Sequence, residues 1–211
     1  FIFVALDQLV NQAANIRYIT GGNNSVPLVV RTQQGATPGS CAQHSQCIEA
    51  MLAHVPGLKV ALAATATDAY ALLRAAAADP DPCVVIEARG LYQAKTPVEL
   101  TDGAEAVGKA RSRRSGSDAV ILTWGSMVVP ALAAADELAE SGRNVGVLDL
   151  RWLNPLDEPA IIKAVTEASG KVLIVHEAVR TGGFAAEIAM RISEILPDLK
   201  TKIARLTTPD T

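Results

Sequence analysis

The chain has few aromatic side chains and few cysteines. Aromatic residues make up 4% of its 211 residues, and only three cysteines are present. These are Cys41, Cys47 and Cys83, which are too few and too irregularly spaced for a disulfide framework or a four-cysteine zinc site. The cysteine usage therefore predicts a reducing compartment, with Cys47 and Cys83 as small core residues.

The chain also lacks excess positive charge and long apolar runs. Its formal net charge is -3 and its pI is about 5.6, which argues against a phosphate-binding surface and so against nucleic acid as a partner. No run of about 18 uncharged apolar residues occurs, so no membrane-spanning helix is predicted. The apolar fraction of 49% is nevertheless enough for a sizeable buried core.

Apolar periodicity predicts an alternation of helices and strands along the whole chain. Thr65 and Asp68 have the spacing of a helix-capping box, and Gly142 and Gly170 lie where helices are expected to end. Short strands joined by longer helices predict α/β architecture with parallel sheets covered on both faces. Helices are predicted at 3–18, 47–54, 66–78, 128–141, 157–169 and 183–196, and strands at 26–31, 58–63, 83–87, 119–124, 145–150, 172–175 and 203–206.

The composition changes at positions 93–118, where prolines, glycines and basic residues interrupt the alternation. We therefore predict a first domain at 1–92, a linker at 93–117 and a second domain at 118–211. The basic residues Arg111, Arg113 and Arg114 either bind an anion or form a solvated edge of the linker. The absence of interleaved aromatic residues favours the solvated edge.

The densest polar cluster in the sequence surrounds His44. An imidazole is a candidate acid or base because its reference pKa is about 6.5, and the neighbouring Gln43, Ser45 and Gln46 would orient it or contact a substrate. In the alternative interpretation His44 caps a helix or bonds a loop carbonyl. Cys41 lies three residues earlier, so a cysteine–histidine nucleophile pair was considered, but nothing else in the sequence supports it.

Three other polar features have a structural and a functional interpretation. His54 precedes a predicted strand, and we favour a structural role. His176 ends a predicted strand, where ligands collect in open parallel sheets, although a structural or interface role is favoured there as well. The turn Thr181-Gly182-Gly183 either presents main-chain N–H groups to an anion or only permits a tight turn before a helix.

The ordered series of motifs resembles one family, the β subunits of thiamine-diphosphate-dependent 2-oxoacid dehydrogenases, which include the pyruvate, branched-chain and acetoin enzymes. The resemblance covers nearly the whole chain but does not identify the substrate. The matching segments are Phe3–Gln8, Asn11–Ala14, Arg17–Tyr18, Val26–Arg31, Ala42–Gln46, Ala53–Val60, Asp79–Pro82, Glu87, Leu91–Tyr92, Gly116–Asp118, Thr123–Gly125, Asp149–Arg151, Pro155–Asp157, His176–Ala178, Thr181–Phe184 and Glu187–Ile188.

The resemblance implies two doubly wound parallel-sheet domains, a partial pyrimidine-binding domain followed by a transketolase C-terminal-like domain. It implies thiamine diphosphate with Mg²⁺ held mainly by an α subunit, while this chain supplies the pocket for the aminopyrimidine ring. It further implies a second β subunit and a lipoyl acyltransferase core as partners. The expected compartment is the bacterial cytoplasm, or the mitochondrial matrix in a eukaryote.

The resemblance also assigns residues. His44 matches a histidine that guides reductive acylation of the lipoyl group, and Phe1 matches an aromatic residue that lies against the aminopyrimidine. Some family members bind potassium through main-chain oxygens and an acidic loop, although Asp79 would serve equally as a plain helix stop. The positions that match this potassium site are Leu28, Val29, Ala76, Asp79 and Asp81.

One departure from the family affects the mechanism. The family uses a glutamate, upstream of the segments matched here, to bond the pyrimidine ring, and no glutamate occurs before Glu49. The chain also opens at Phe1 without an initiator methionine. We therefore expect a portion of a β subunit, catalytically incomplete by itself. Two alternatives remain: a section of a transketolase or deoxyxylulose-phosphate synthase, and a non-catalytic assembly module.

Overall fold

The computed structural model describes residues 2–198 and 203–210. The chain forms two compact units, Phe1–Gly108 with Trp152–Pro155, and Lys109–Arg151 with Leu156–Thr211. Within the described residues the strands are β1 (Val29–Gln34), β2 (Lys59–Ala63), β3 (Cys83–Ala88), β4 (Arg111–Arg114), β5 (Ala119–Thr123), β6 (Val145–Asp149), β7 (Trp152–Asn154), β8 (Val172–Val179) and β9 (Ile203–Thr208). The α-helices there are α1 (Ile16–Ile19), α2 (Glu49–Ala53), α3 (Ala66–Ala78), α4 (Val128–Glu140), α5 (Glu158–Glu167) and α6 (Ala185–Ile195).

The first unit is built on a sheet with the strand order β1-β3-β2-β7. The strands β1, β3 and β2 are parallel, and β7 pairs antiparallel with β2 at one edge. The core of this unit packs Leu72 and Ala76 of α3 against Val85 of β3 and Trp152 of β7. Trp152 is 1% exposed, so the chain returns to the first unit to complete this core.

Helix α3 begins with the capping box that the sequence predicts. The Thr65 hydroxyl accepts a hydrogen bond from the Asp68 main-chain N–H, and the Asp68 carboxylate accepts one from the Thr65 N–H. These bonds satisfy two N–H groups that the helix itself leaves unpaired. The cap therefore fixes the residue at which α3 begins.

The second unit has the strand order β4-β6-β5-β8-β9, with β4 antiparallel to β6 and the other neighbouring pairs parallel. Its core includes Ile121, Ala135 and Val147. A Cβ atom on Gly116 would lie 2.1 Å from the main-chain nitrogen of Gly146, so this backbone approach requires glycine. None of the helices in the described ranges is long and apolar enough to span a bilayer.

The predicted parallel-dominated α/β architecture is confirmed, but two short strands were missed. Both β4 and β7 lie in segments where apolar periodicity predicts no strand, and both are antiparallel edge strands. The interpretation of the basic run as a solvated edge is wrong for Arg113, whose guanidinium lies 2.7 Å from the fully buried carboxylate of Asp149.

The predicted helix at 3–18 is divided into the turns Ile2–Ala5 and Ala13–Asn15, the π-helix Asp7–Gln12 and α1. The proposed division at 1–92, 93–117 and 118–211 stays a prediction.

Candidate functional site

The candidate site lies where the parallel strands β1 and β3 end together. Gln34, the last residue of β1, pairs with Ala88, the last residue of β3. Ligands of open parallel α/β sheets bind beyond the carboxyl ends of the strands. The segment that follows β1 carries the short helical turn Ala42–His44 on this side of the first unit.

His44 is exposed and lines a shallow depression of about 20 Å³. The depression combines amide and hydroxyl groups with two apolar side chains from the N-terminal turn; its lining residues are Ile2, Phe3, Thr32, Gln33, Gln43, His44, Gln46 and Ile48. A depression of this size accommodates about one water molecule, so it forms part of a wall and not a complete ligand pocket. The imidazole is therefore available to a molecule that approaches from solvent.

Hydroxyl groups fix the shape of the segment that carries His44. The Ser40 hydroxyl accepts from the Thr37 N–H at 3.1 Å and lies 2.7 Å from the Ser45 hydroxyl. Ser45 in turn donates to the carbonyl of Cys41 at 2.6 Å. Cys41 itself has a φ of +53°, which is unfavourable for a residue with a side chain. The hydroxyl network holds the chain in this turn.

Two hydrogen bonds connect this segment to the ends of the strands. The buried side chain of Gln34 accepts from the main-chain N–H of Ile48 at 3.1 Å. On the other side, the Arg89 guanidinium donates to the carbonyl oxygen of His44 at 3.2 Å. Arg89 begins the turn that follows β3. The histidine-bearing turn is thus bonded to residues that follow both strands.

A second polar group at this edge is centred on Glu87, which belongs to the family resemblance but has no site role predicted from the sequence. Glu87 accepts from Arg31 at 2.6 Å through one carboxylate oxygen and from the Tyr92 hydroxyl at 2.9 Å through the other. Burial and the hydrogen bond to Glu87 raise the pKa of Tyr92. The sequence does contain a signal, because Arg31 and Glu87 are the charged residues within otherwise apolar or polar uncharged strands.

The positions that match the potassium site lie together at the opposite end of the same sheet. The Leu28 carbonyl accepts from Cys83 at 2.8 Å, and Val29 begins β1 beside it. Asp79, which follows α3, accepts from the Asp81 N–H at 2.9 Å and donates its own N–H to Ala76.

Both carboxylates of this acidic loop are paired with cationic side chains. The Lys59 ammonium lies 2.5 Å from Asp79 and 3.4 Å from Asp81, and Arg17 lies 2.5 Å from Asp81. Burial raises the pKa of Asp81, but the bonds from Arg17 and Lys59 outweigh it, so the pKa is lowered overall. The described residues contain no cluster of three or more His, Cys, Asp or Glu suited to a metal, and the potassium site stays a prediction.

The remaining sequence candidates are described one by one. His54 is exposed after α2, and Phe1 lies outside the described residues. In the second unit, the Thr181 N–H and hydroxyl donate to the carboxylate of Asp210 at 3.0 and 2.6 Å. The donors of that predicted anion-binding turn thus bind a carboxylate of the chain itself. Cys83 is buried, and desolvation raises its pKa to about 11, which keeps it a thiol.

His176 is enclosed within the second unit. It is 2% exposed and stacks on Trp124, with ring centroids 5.2 Å apart. A Cβ atom on Gly183 would lie 2.6 Å from the imidazole, so the Gly-Gly turn packs directly on the ring. Burial, with a smaller contribution from Arg205, lowers the pKa of His176 to about 4 and keeps the ring neutral. These features support the structural interpretation.

Comparisons with known proteins agree with this architecture. Residues 1–95 match the transketolase pyrimidine-binding domain and residues 108–211 match the transketolase C-terminal domain. A solved chain described as a split-gene transketolase in an inactive β4 tetramer has a TM-score of 0.73 at 21% identity, over 98% of this chain and 65% of that one. This likeness shows the fold.

Curated relatives are considerably more similar in sequence. The 2-oxoisovalerate dehydrogenase subunit β of Bacillus subtilis is 41% identical over all of this chain and 64% of its own length. The pyruvate dehydrogenase E1 subunit β of Rhizobium meliloti is 39% identical over 92% of this chain and 42% of its own. The chain thus spans less than two thirds of these relatives. It belongs to the transketolase-related family that contains the β subunits of the 2-oxoacid dehydrogenases.

Proposed function

We propose that this chain is part of the E1 β subunit of a thiamine-diphosphate-dependent 2-oxoacid dehydrogenase. The reaction would decarboxylate a 2-oxoacid and transfer the acyl group to a lipoyl arm. The observation that carries the proposal is the exposed imidazole of His44 at the carboxyl end of the sheet in the pyrimidine-binding unit. The similarity to β subunits of 2-oxoisovalerate and pyruvate dehydrogenases supports the same reaction class.

We propose that the lining of the depression beside His44 forms part of one wall of the cofactor site. Amides of Gln33 and Gln43 and the apolar face of Phe3 suit a neutral heteroaromatic ring such as the aminopyrimidine, and the residues that line this depression include no lysine or arginine to bind a diphosphate. Thiamine diphosphate, when bound, supplies the electron sink for decarboxylation. We propose that the diphosphate and Mg²⁺ are held by an α subunit, and that Phe1 contacts the ring.

His44 would act at the acyl-transfer step. Acyl transfer would form a carbon–sulfur bond to one lipoyl sulfur and break both the disulfide and the bond that joins the acyl carbon to the cofactor. The acyl unit would be oxidised by two electrons and the disulfide reduced by two, which leaves the second sulfur as a thiolate. An imidazole at this position can act as the general acid that donates the proton converting this thiolate to a thiol. The exposure of His44 allows a swinging lipoyl arm to reach it.

The test is reconstitution of the full-length protein with an α-type subunit and a lipoyl domain. We expect carbon dioxide release and lipoyl acylation from at least one of pyruvate, 2-oxoisovalerate and 2-oxobutyrate. Residues 1–211 alone should show no turnover, because no glutamate precedes Glu49 to bond the pyrimidine. Retention of thiamine diphosphate without turnover by the reconstituted assembly would instead support the assembly-module alternative.

A transketolase reaction is the second candidate, favoured by the two transketolase domain matches and the split-gene neighbour. We rank it lower because the dehydrogenase β subunits are about twice as similar in sequence, at 41% against 21% identity. Ketol transfer between sugar phosphates, measured on the same assembly, separates the two reactions. Ketol transfer without 2-oxoacid decarboxylation would overturn the main proposal.

A further inference from the structure

The segment that carries His44 is rigid within itself, but it needs an external bond to hold it over the sheet. The hydroxyl network of Ser40 and Ser45 joins residues inside the segment and so determines its shape. It does not determine where the imidazole lies relative to the ends of β1 and β3. Bonds to residues outside the segment do that: Gln34 accepts from the N–H of Ile48 on one side, and Arg89 donates to His44 on the other.

Arg89 provides such a bond at the catalytic position itself. Its guanidinium donates to the main-chain oxygen of His44 at 3.2 Å across 45 positions of sequence. The arginine is half-buried in the turn Arg89–Leu91, and this turn directly follows the buried strand β3. A rigid strand end therefore holds a charge-assisted hydrogen-bond donor against the histidine-bearing turn.

We infer that Arg89 is a positioning residue for lipoyl acylation, acting through the main-chain carbonyl of His44. This inference rests on the proposed function. A small displacement of a catalytic group can cost about 100-fold in rate, so loss of this bond should slow the step that uses His44. Decarboxylation, for which we assign His44 no role, should be unaffected.

The chain offers a matched control for Arg89. Arg74 is also half-buried in the first unit and also donates to a main-chain carbonyl, that of Thr101 at 2.6 Å, but on α3 away from the His44 segment. Arg74→Met removes this carbonyl bond together with bonds to the Tyr70 hydroxyl and the Asp102 carbonyl, so it is a control at least as disruptive as Arg89→Met, at a different place in the unit. Arg89→Lys keeps one donor and a positive charge, and should restore part of the lost rate.

The kinetic experiment uses the full-length protein in the assembly with its α-type subunit. Lipoyl acylation is compared with decarboxylation measured with a dye as electron acceptor. We expect Arg89→Met to slow acylation about 10- to 100-fold while decarboxylation changes less than about twofold. In a His44→Ala background, Arg89→Met should have no further effect, because the two residues act as one unit. An equal loss in both assays, no loss, or a full effect in the His44→Ala background would each overturn the inference.

Amide hydrogen exchange tests the positioning role independently of activity. Arg89→Met should speed exchange in positions 41–46 and leave β1 and β3 protected, whereas Arg74→Met should leave positions 41–46 unchanged. Unchanged exchange in that segment overturns the inference whatever the substrate is. If the wild-type assembly decarboxylates no 2-oxoacid but Arg89→Met still speeds exchange in positions 41–46, only the proposed function is refuted. Arg89 is then still the residue that orders the segment. If Arg89→Met does not fold, Arg89→Gln replaces it in every measurement.

Discussion

His44 and His176 occupy similar places in the two units of this chain but have opposite environments. His44 lies in the loop that follows the carboxyl end of β1, and His176 lies within β8 directly after Val175, the partner of the last residue of β5. His44 is exposed among amides, whereas His176 is buried against Trp124 under a Gly-Gly turn. A position near the carboxyl end of a parallel strand makes a histidine a candidate, and its surroundings decide whether the ring is accessible to a substrate.

The largest expected effect separates the two histidines by activity. His44→Ala should lower lipoyl acylation about 10²- to 10⁴-fold, because the step loses its acid–base group. His176→Phe, which keeps an aromatic ring against Trp124, should change acylation by less than about threefold. Stopped-flow measurement on the reconstituted assembly checks both variants. Equal loss in the two variants would remove the functional contrast between them.

The second prediction is that His176 makes the free energy of unfolding depend on pH. The pKa of His176 is about 4 in the folded chain and about 6.5 when unfolded, so unfolding takes up a proton between these values. Its stabilising contribution is present above pH 6.5 and is lost as the pH falls toward 4, by an amount on the order of 3 kcal/mol.

Urea unfolding at pH 7, 5.5 and 4.5 measures this contribution. His176→Phe should unfold with a flatter pH dependence than the wild type, while Gly103→Ala, which changes no titratable group and meets open space, should keep the wild-type slope. A His176→Phe slope equal to the wild-type slope would show that the buried ring is not the titrating group.

The Gly-Gly turn over His176 gives a smaller expected effect. In Gly183→Ala the new methyl group would lie 2.5 Å from the Val179 carbonyl oxygen and 2.6 Å from the imidazole, so the turn must shift. We expect a loss of about 1–3 kcal/mol in the free energy of unfolding. Gly103→Ala meets open space and is the control, so a similar loss in both would contradict the packing argument.

The smallest expected effect compares the side-chain cap of α3 in the first unit with an exposed position on α6 in the second unit. Thr65→Ala removes the side-chain cap of α3 and should cost about 1 kcal/mol. Helix α6 has no such side-chain cap, and Ser193→Ala on its exposed surface should change stability by less than about 0.5 kcal/mol. Thermal unfolding of both variants decides this comparison, and equal stability of Thr65→Ala and wild type would show that the cap is dispensable.

Much of the fold could be predicted from the sequence because its signals are local. The capping box of Thr65 and Asp68 and the apolar runs of β2, β3 and β6 determine where those elements lie within one or two residues. Gly142 ends α4 as predicted, with a φ of +76° and a bond from Arg143 to the carbonyl of Leu138. Each of these signals acts between residues close together in the chain.

The strands β4 and β7 could not be predicted in the same way. Each is short and gains its stability from one antiparallel neighbour far away in sequence. Arg113 illustrates the point, since it belongs to a basic run but forms an ion pair with a buried aspartate 36 positions later. Periodicity carries no information about such a partner.

The same distinction between local and long-range signals applies to the candidate site. The sequence by itself determined the α/β alternation, the helix caps and the polar cluster around His44, because propensity, capping and hydrophobic pattern act over a few residues. Only the tertiary structure decided that Arg89 bonds the His44 carbonyl, that Asp79 and Asp81 pair with cations and that His176 is held neutral. Burial and pairing between distant residues set those properties, and they arise only when the strands have assembled into sheets.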